Sequence, residues 1–388
     1  MNARGILRLL REHNPCSKAD LVRLSGLSAP TVSSVVSHLE SLGLVEDLGE
    51  GESSGGRPPG LMRFHANHGY VAGIDMGGTR LRMMLTNLNG TVLTQWSMQF
   101  SEAERIPKAV CALVREGLKR MCGEVGTSVR KVLQITAGAP GITNVDSGIV
   151  ISAPNLKDWN DVPLRAMLEK ETGIPVVIEN DTNLAAVGEH WRGSAAKVDS
   201  FLFVALGTGV GAGIFLHGRL HHGADWSAGE IGYMGVSGSH REPLHVRATG
   251  QLERAIGGAG IEREWLRLLE RERRKTNASL ARLRASEIFD LAAEGDRVAG
   301  EVLRYTAEIL AGCISSLALL LNPELVVLGG GVGSHPELCR ATEKLLEQNE
   351  FARPRVASSM LGTQAQLHGA ISLALAANEA KLLGDPAV

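Results

Sequence analysis

Cysteine is scarce and unpatterned in this chain: Cys16, Cys111, Cys122, Cys313 and Cys339 are odd in number and scattered. No spacing among them builds a disulfide framework or a zinc knuckle, so a reducing, cytoplasmic setting is expected. An excess of charge is missing too. Lys and Arg number 40 against 42 Asp and Glu, a formal net charge of -2, so any surface for nucleic acid must be local. No apolar run reaches the length of a membrane span, and the amphipathic start, MNARGILRLLREHN, is broken by charge where a signal peptide would be continuously apolar. These absences leave a soluble protein without a membrane partner as the expectation. Its 388 residues are enough for two or three units that each bury a core.

The first unit is expected over residues 1–66. Ile6, Leu9 and Leu10 recur at helical spacing, and Ser17 can cap a second short helix carrying Leu21, Val22 and Leu24. Gly26 ends it. Ser28 then caps a third helix that tolerates Pro30 in its first turn and lines up Val32, Val35, Val36, Leu39 and Leu42 as one apolar stripe. Pro30, Thr31, Ser33, Ser34, Ser37 and His38 are left for the opposite face. Three short helices with a tight turn before the last make a helix-turn-helix whose final helix can lie in the major groove. Leu44 and Val45 open a two-stranded wing, and the Gly- and Pro-rich EGESSGGRPPG leads back to a strand at Leu61 and Met62. A helical cap on a plain linker stays open as an alternative. The acidic and basic residues of this segment cancel one for one, whereas a DNA-binding module is typically basic.

From Tyr70 the pattern turns to strands: YVAGIDMGG, RLRMMLTNL, a turn at Asn89-Gly90, then TVLTQWSMQF, an antiparallel meander. A helix with Ile106, Val110, Leu113, Val114, Leu118 and Met121 on one face follows, then the strand VLQITAGAPG. A comparable strand-rich start at FLFVALGTGVGAGIFL suggests a second lobe, and two such lobes around a cleft are what an actin-like, ribonuclease-H-like ATPase shows. The lobes are expected over 69–188 and 189–388, with the last helix packing back on the first. Three glycine turns follow strands: Asp75, Gly77, Gly78, Thr79 and Arg80; Gly207, Thr208 and Gly209; and Gly329, Gly330 and Gly331. Such turns let backbone N–H groups approach phosphates. Asp181 follows the apolar strand VVIEN and faces the cleft, where a carboxylate can take a proton from a sugar hydroxyl. NLKDW, GEIGY and GQLE supply further polar groups suited to hydroxyl-rich ligands.

These motifs together resemble the ROK family of repressors, open reading frames and kinases. Residues 209–233 are similar to its signature, and LHGAISLALA near the end is also typical. The resemblance implies an α/β architecture: an N-terminal winged helix-turn-helix followed by a two-lobed actin-like (ribonuclease-H-like) sugar-kinase fold. It implies that Asp75 and the glycine turns hold ATP phosphates and magnesium, that Asp181 is the catalytic base, and that Asn155, Asn180, Asp181, Glu230, Tyr233 and Glu253 face the sugar. ROK regulators carry a similar Gly-Gly-Arg-Pro element after the winged helix, here Gly55, Gly56, Arg57 and Pro58, which implies that Arg57 enters an A·T-rich minor groove.

The pattern breaks where family kinases hold a structural zinc. The family histidine is Tyr233 here, and the cysteine positions are Leu244, Val246 and Gln251, so no zinc and no other protein-held metal is expected. His240 and His245 are expected as solvated loop residues. The resulting expectation is a sugar-responsive transcription regulator, a repressor, that reads operator DNA as a homodimer or homotetramer and needs no cofactor to do so. The alternative is an ATP- and magnesium-dependent kinase of a hexose or amino sugar.

Overall fold

The computed structural model describes residues 2–50, 58–153, 156–236, 242–245, 248–272 and 280–384. The first unit holds α1 (Asn2–Glu12), β1 (Cys16–Ser17), α2 (Lys18–Ser25), α3 (Ala29–Ser41), β2 (Val45–Glu50) and β3 (Gly60–Phe64). Ser17 caps α2 reciprocally with Asp20, and Gly26 closes that helix in the left-handed conformation. Ser28 caps α3 by accepting from Thr31 N–H. The wing has one strand more than expected, because β1 pairs with β3 through Cys16 opposite Met62, giving the order β1-β3-β2.

The second unit contains β4 (Tyr70–Met76), β5 (Arg80–Asn87), β6 (Val92–Gln99), α4 (Pro107–Val125), β7 (Val132–Ala139), β8 (Ile142–Asn144), β9 (Ile149–Ser152), α5 (Leu164–Thr172), β10 (Val176–Asn180) and α6 (Asp181–Arg192). Its sheet runs β10-β7-β4-β5-β6, with the first three strands parallel and the meander antiparallel as expected. Alternation sorts the two faces of this sheet. Ala72, Ile74, Leu81, Met83, Ile135 and Ala137 face α4 and α5 in one core. Val71 and Met84 face the other way, into a core shared with the winged helix. Ile106 is not on the buried face of α4; it precedes the helix and is exposed.

The third unit comprises β11 (Phe201–Leu206), β12 (Val210–Leu216), β13 (Arg219–Leu220), α7 (Gln251–Ile256), α8 (Gly258–Arg271), α9 (Ala285–Ala293), α10 (Arg297–Leu321), β14 (Leu325–Gly329), α11 (Gly330–Gly333), α12 (Pro336–Leu346), β15 (Arg355–Ser358) and α13 (Ala365–Leu383). The sheet order is β13-β12-β11-β14-β15. Contrary to expectation, α10 is long and apolar enough to cross a membrane. It forms part of the lobe core instead, with Val298, Val302, Leu310, Ile314 and Leu317 buried.

Two helices join the units. α6 lies between the sheets: its Leu184 sits where a Cβ on Gly138 of β7 would fall, and its Ala186 where one on Gly213 of β12 would fall. The lobe boundary expected after residue 188 therefore cuts a continuous helix that both lobes share. α13 packs against α6, β4 and β7, so the last helix does return to the first lobe. The winged helix is not tethered loosely. Ile6, Leu7, Leu10, Val32, Val36 and Phe64 share one core with Val71, Met84 and Leu88 of the body and with Leu367, Ile371 and Ala374 of α13.

Candidate functional site

The helix-turn-helix presents the face its sequence pattern requires. Val32, Val36 and Leu39 are buried and Val35 is half-buried, while Pro30, Ser33, Ser34, Ser37 and His38 are exposed and Thr31 is half-buried. The Thr31 hydroxyl lies 2.8 Å from that of Ser28, which ties the start of the exposed face to its cap. Arg57 lies outside the described residues. Two nearby arginines are partnered, Arg23 with Asp20 at 2.9 Å and Arg63 with Glu46 at 2.7 Å. This surface carries polar groups on α3 rather than surplus charge.

In the cleft, α6 starts at Asp181 because Asn180 caps it, accepting from Thr182 and Asn183 N–H at 2.8 and 3.0 Å. The Asn180 amide also donates to Gly141 O at 2.9 Å. Its side chain is thus committed to holding Asp181 in place. Burial pushes the Asp181 carboxyl up to about 6, and the neighbouring negative charge of Asp75 adds to the rise. Glu230 enters from the loop after β13. Gly229 makes this approach possible at φ +91, where a Cβ would fall 1.8 Å from Ala212 O, and Ala212 N–H donates to Gly229 O at 2.8 Å. Burial pushes Glu230 up to about 7, helped by the charges of Asp181 and Glu253. Glu253 of α7 accepts from Val210 N–H at 3.0 Å. The Tyr233 phenol is raised by burial and then by Glu230 and Glu253. Asp75, Asp181, Glu230, Glu253 and Tyr233 therefore belong to one electrostatic neighbourhood. Carboxyls accept from hydroxyls when ionised and donate when protonated, so the set suits a polyhydroxylated ligand. Asn155 lies outside the described residues, and Trp159 of the same motif is buried, its indole N–H donating to Arg105 O at 2.6 Å.

In the three glycine turns, two of the backbone N–H groups are already spent within the turns themselves. Gly207 and Gly331 meet, a Cβ on the first reaching to 3.8 Å from the second's N. Gly207 N–H is spent on Gly209 O, and Gly77 N–H on Arg80 O, each at 3.0 Å. Thr208 sits at the tip between β11 and β12. Gly329 and Gly330 close the end of β14, the first against the Phe203 ring and the second against the Leu206 backbone.

Two residues in the cleft were not anticipated. Arg82 binds Asp75, with Nε at 2.7 Å and Nη2 at 2.6 Å from Oδ2. His222 holds Glu179 through Nε2 at 2.7 Å, and Glu179 also accepts from the Asn183 amide at 3.0 Å. That hydrogen bond raises the His222 pKa against the opposing effect of burial, and it fixes the segment leading to Glu230 onto β10. At the positions expected to hold no zinc, Leu244 is exposed, Gln251 opens α7 and Val246 lies outside the described residues; of the two loop histidines, His245 is exposed and His240 lies outside the described residues. Among the described residues no cluster of three His, Cys, Asp or Glu side chains is disposed to hold a metal.

Comparison with known proteins matches residues 71–377 to the ROK family and residues 2–52 to the MarR family. A putative xylose repressor of Caldicellulosiruptor sp. (strain Rt8B.4) is 30% identical over 389 residues, covering 95% of this chain and 94% of its own. A glucokinase of Halalkalibacterium halodurans is 33% identical over 294 residues, covering 74% of this chain and 88% of its own. Among solved structures, a ROK family transcriptional regulator described as a homologue of the E. coli MLC protein superposes with a TM-score of 0.80 at 23% identity, covering 99% of this chain and 97% of that one. This last likeness bears on the fold alone.

Proposed function

The chain belongs to the ROK family, and from that premise we propose that it is a sugar-responsive, DNA-binding repressor. One observation carries the reading: the exposed polar face of α3 and the carboxylate-lined cleft sit on units that share a core and a helix, α13. A sugar held by Asp181, Glu230, Glu253 and Tyr233 favours one arrangement of the lobes around α6. α13 packs along α6 and ends beside α1, where Glu379 meets Arg11 at 2.8 Å and Arg4 at 3.8 Å. The change in the cleft thereby alters the angle of the winged helix, a population shift between DNA-competent and DNA-released states. The similarity to repressors named for xylose supports a monosaccharide as the ligand.

The reading includes a cytoplasmic protein acting as a homodimer or a homotetramer, since two half-sites about 34 Å apart need two readers at fixed spacing. Leu319 and Leu320 at the end of α10 are exposed, as is Phe351, whose turn is held to α10 by Asn349 donating to Ser315. Covering this apolar edge with a second copy supports such an assembly. The testing experiment is a melting screen of monosaccharides followed by gel shift with a duplex selected by the protein. A sugar that raises the melting temperature is expected to release or recruit the duplex; sugars that bind without changing DNA affinity refute the reading.

A further inference from the structure

The side chain of Arg82 sits where a catalytic cleft of this architecture would need open carboxylate oxygen. We propose that Arg82 is a resident cation that replaces a magnesium-nucleotide at Asp75, so that the cleft answers to sugar alone. The position is dictated by the backbone. The tight turn between β4 and β5 sets Asp75 directly opposite Arg82 in the antiparallel ladder, and opposite residues share one face of a sheet with their Cβ atoms about 5 Å apart. The register therefore turns the two side chains to the same face, within reach of the ion pair they form.

The geometry is that of a committed pair. Asp75 is 3% exposed, and two nitrogens of Arg82 converge on its Oδ2. The rest of the guanidinium is also anchored: Nη1 donates to Thr363 O and Nη2 reaches Gln366 Oε1 at 3.4 Å, both at the entry to α13. Burial raises the Asp75 carboxyl while Arg82 opposes that rise by charge and hydrogen bond. A magnesium ion demands several oxygen ligands at about 2.0–2.1 Å in near-octahedral geometry. It would have to bind Oδ1 beside the positive charge of the guanidinium, or expel the guanidinium from Oδ2. A buried pair broken on one side leaves an uncompensated charge, at a cost well above that of an exposed pair. A cavity of about 470 Å³ lies beside the pair, lined by Thr79, Arg80, Gln95, Trp96 and Gln364 among others, so a ligand has room beside Asp75. The N–H groups of Gly77 and Gly207 are already donated within their own turns, which removes those two as phosphate contacts. The residues present do not fit a magnesium-nucleotide, although Asp75, Gly77, Gly78 and Thr79 are all in place.

The inference rests on the sugar reading only for the ligand that the cleft keeps. The test is fluorescence titration of mant-ADP with and without saturating magnesium, on the full chain and on Arg82→Ala, Arg82→Gln and Arg82→Lys. Wild type and Arg82→Lys are expected to show no magnesium-dependent binding. Freeing the carboxylate in Arg82→Gln or Arg82→Ala should raise magnesium-dependent affinity by about tenfold or more. Magnesium-dependent binding by the wild type overturns the proposal, as does the absence of any gain in a variant whose circular dichroism and sugar-induced melting shift match the wild type. If neither neutral variant folds, the wild-type titration decides alone. Sugar-induced melting shifts are recorded on the same samples: a shift that requires magnesium and nucleotide also overturns the proposal. Loss of the sugar reading itself shows differently, as the absence of any shift under all conditions.

Discussion

Single carboxyls in the cleft carry a cost that a titration can expose. Asp181 is raised from 3.8 to about 6, so the folded state binds its proton more readily than the unfolded state does. The contribution of Asp181 to stability is therefore fully present below about pH 3.8 and is lost as pH rises through about 6. Asp181→Asn is expected to raise the melting temperature at pH 8, by a free energy on the order of 2 kcal/mol. The gain should vanish near pH 4, and thermal denaturation at the two pH values checks it. Glu230, raised to about 7, has the same sign. A sugar whose hydroxyls donate to these groups favours their ionised forms, so affinity should fall as pH drops from 8 to 5, with proton release on binding at pH 6.5. Calorimetry in two buffers of different ionisation enthalpy measures this, and a flat affinity profile contradicts it. At this scale much was legible. Asp181 at the end of an apolar strand and Glu230 in GEIGY point to the cleft from sequence alone. Arg82 was hidden by a different kind of signal: RLRMMLTNL reads as an ordinary strand, and only the register of the hairpin sets the third residue after Thr79 against Asp75. The pairing of His222 with Glu179 joins segments 43 residues apart, which no local pattern can reveal.

Among the elements, α6 and α13 matter most because they touch without side chains between them. A Cβ on Gly369 would fall 1.8 Å from Leu184 O, and one on Gly188 would fall 2.1 Å from Ala365 O. Gly369→Ala must push the helices apart, and an overpacked contact of this kind is expected to cost about 3 kcal/mol, read by denaturant unfolding. On α3 the expected loss is functional. Ser34 is exposed and the helix is capped elsewhere, so Ser34→Glu should leave the melting temperature unchanged. It should also abolish binding to a selected duplex through repulsion from phosphates, as a gel shift would show. The helices of the first unit were legible because their caps are written in the chain: Ser17 with Asp20, Gly26, and Ser28 before Pro30. β1 was not, since two residues carry no periodicity and its pairing is tertiary. The break expected after residue 188 failed for a related reason. α6 is buried by both lobes, with Asn183 and Glu189 inside alongside Leu184, Ala185, Ala186 and Val187, so its mixed polar and apolar pattern gives no sign of where one lobe ends.

Across the whole molecule, the opening unit and the body form one packed object. Arg11 lies over the Phe64 ring at 4.7 Å while bonding Glu379, so the end of α13 grips the winged helix by apolar contact and by charge. The sequence supports a reader joined to the body by a Gly- and Pro-rich stretch, but not that docking. The amphipathic faces of α1 and β3 reveal that they are buried, not what buries them. Glu379→Ala should leave the sugar-induced melting shift intact while reducing the effect of sugar on DNA affinity, because Arg4 and Arg11 lose a shared partner. The most direct test of the account is a closed thermodynamic cycle on the wild-type protein: affinity for a selected duplex with and without saturating sugar, and affinity for the sugar with and without the duplex. Coupling of about fivefold or more, equal in both directions, is the predicted result; two affinities that ignore each other would contradict it.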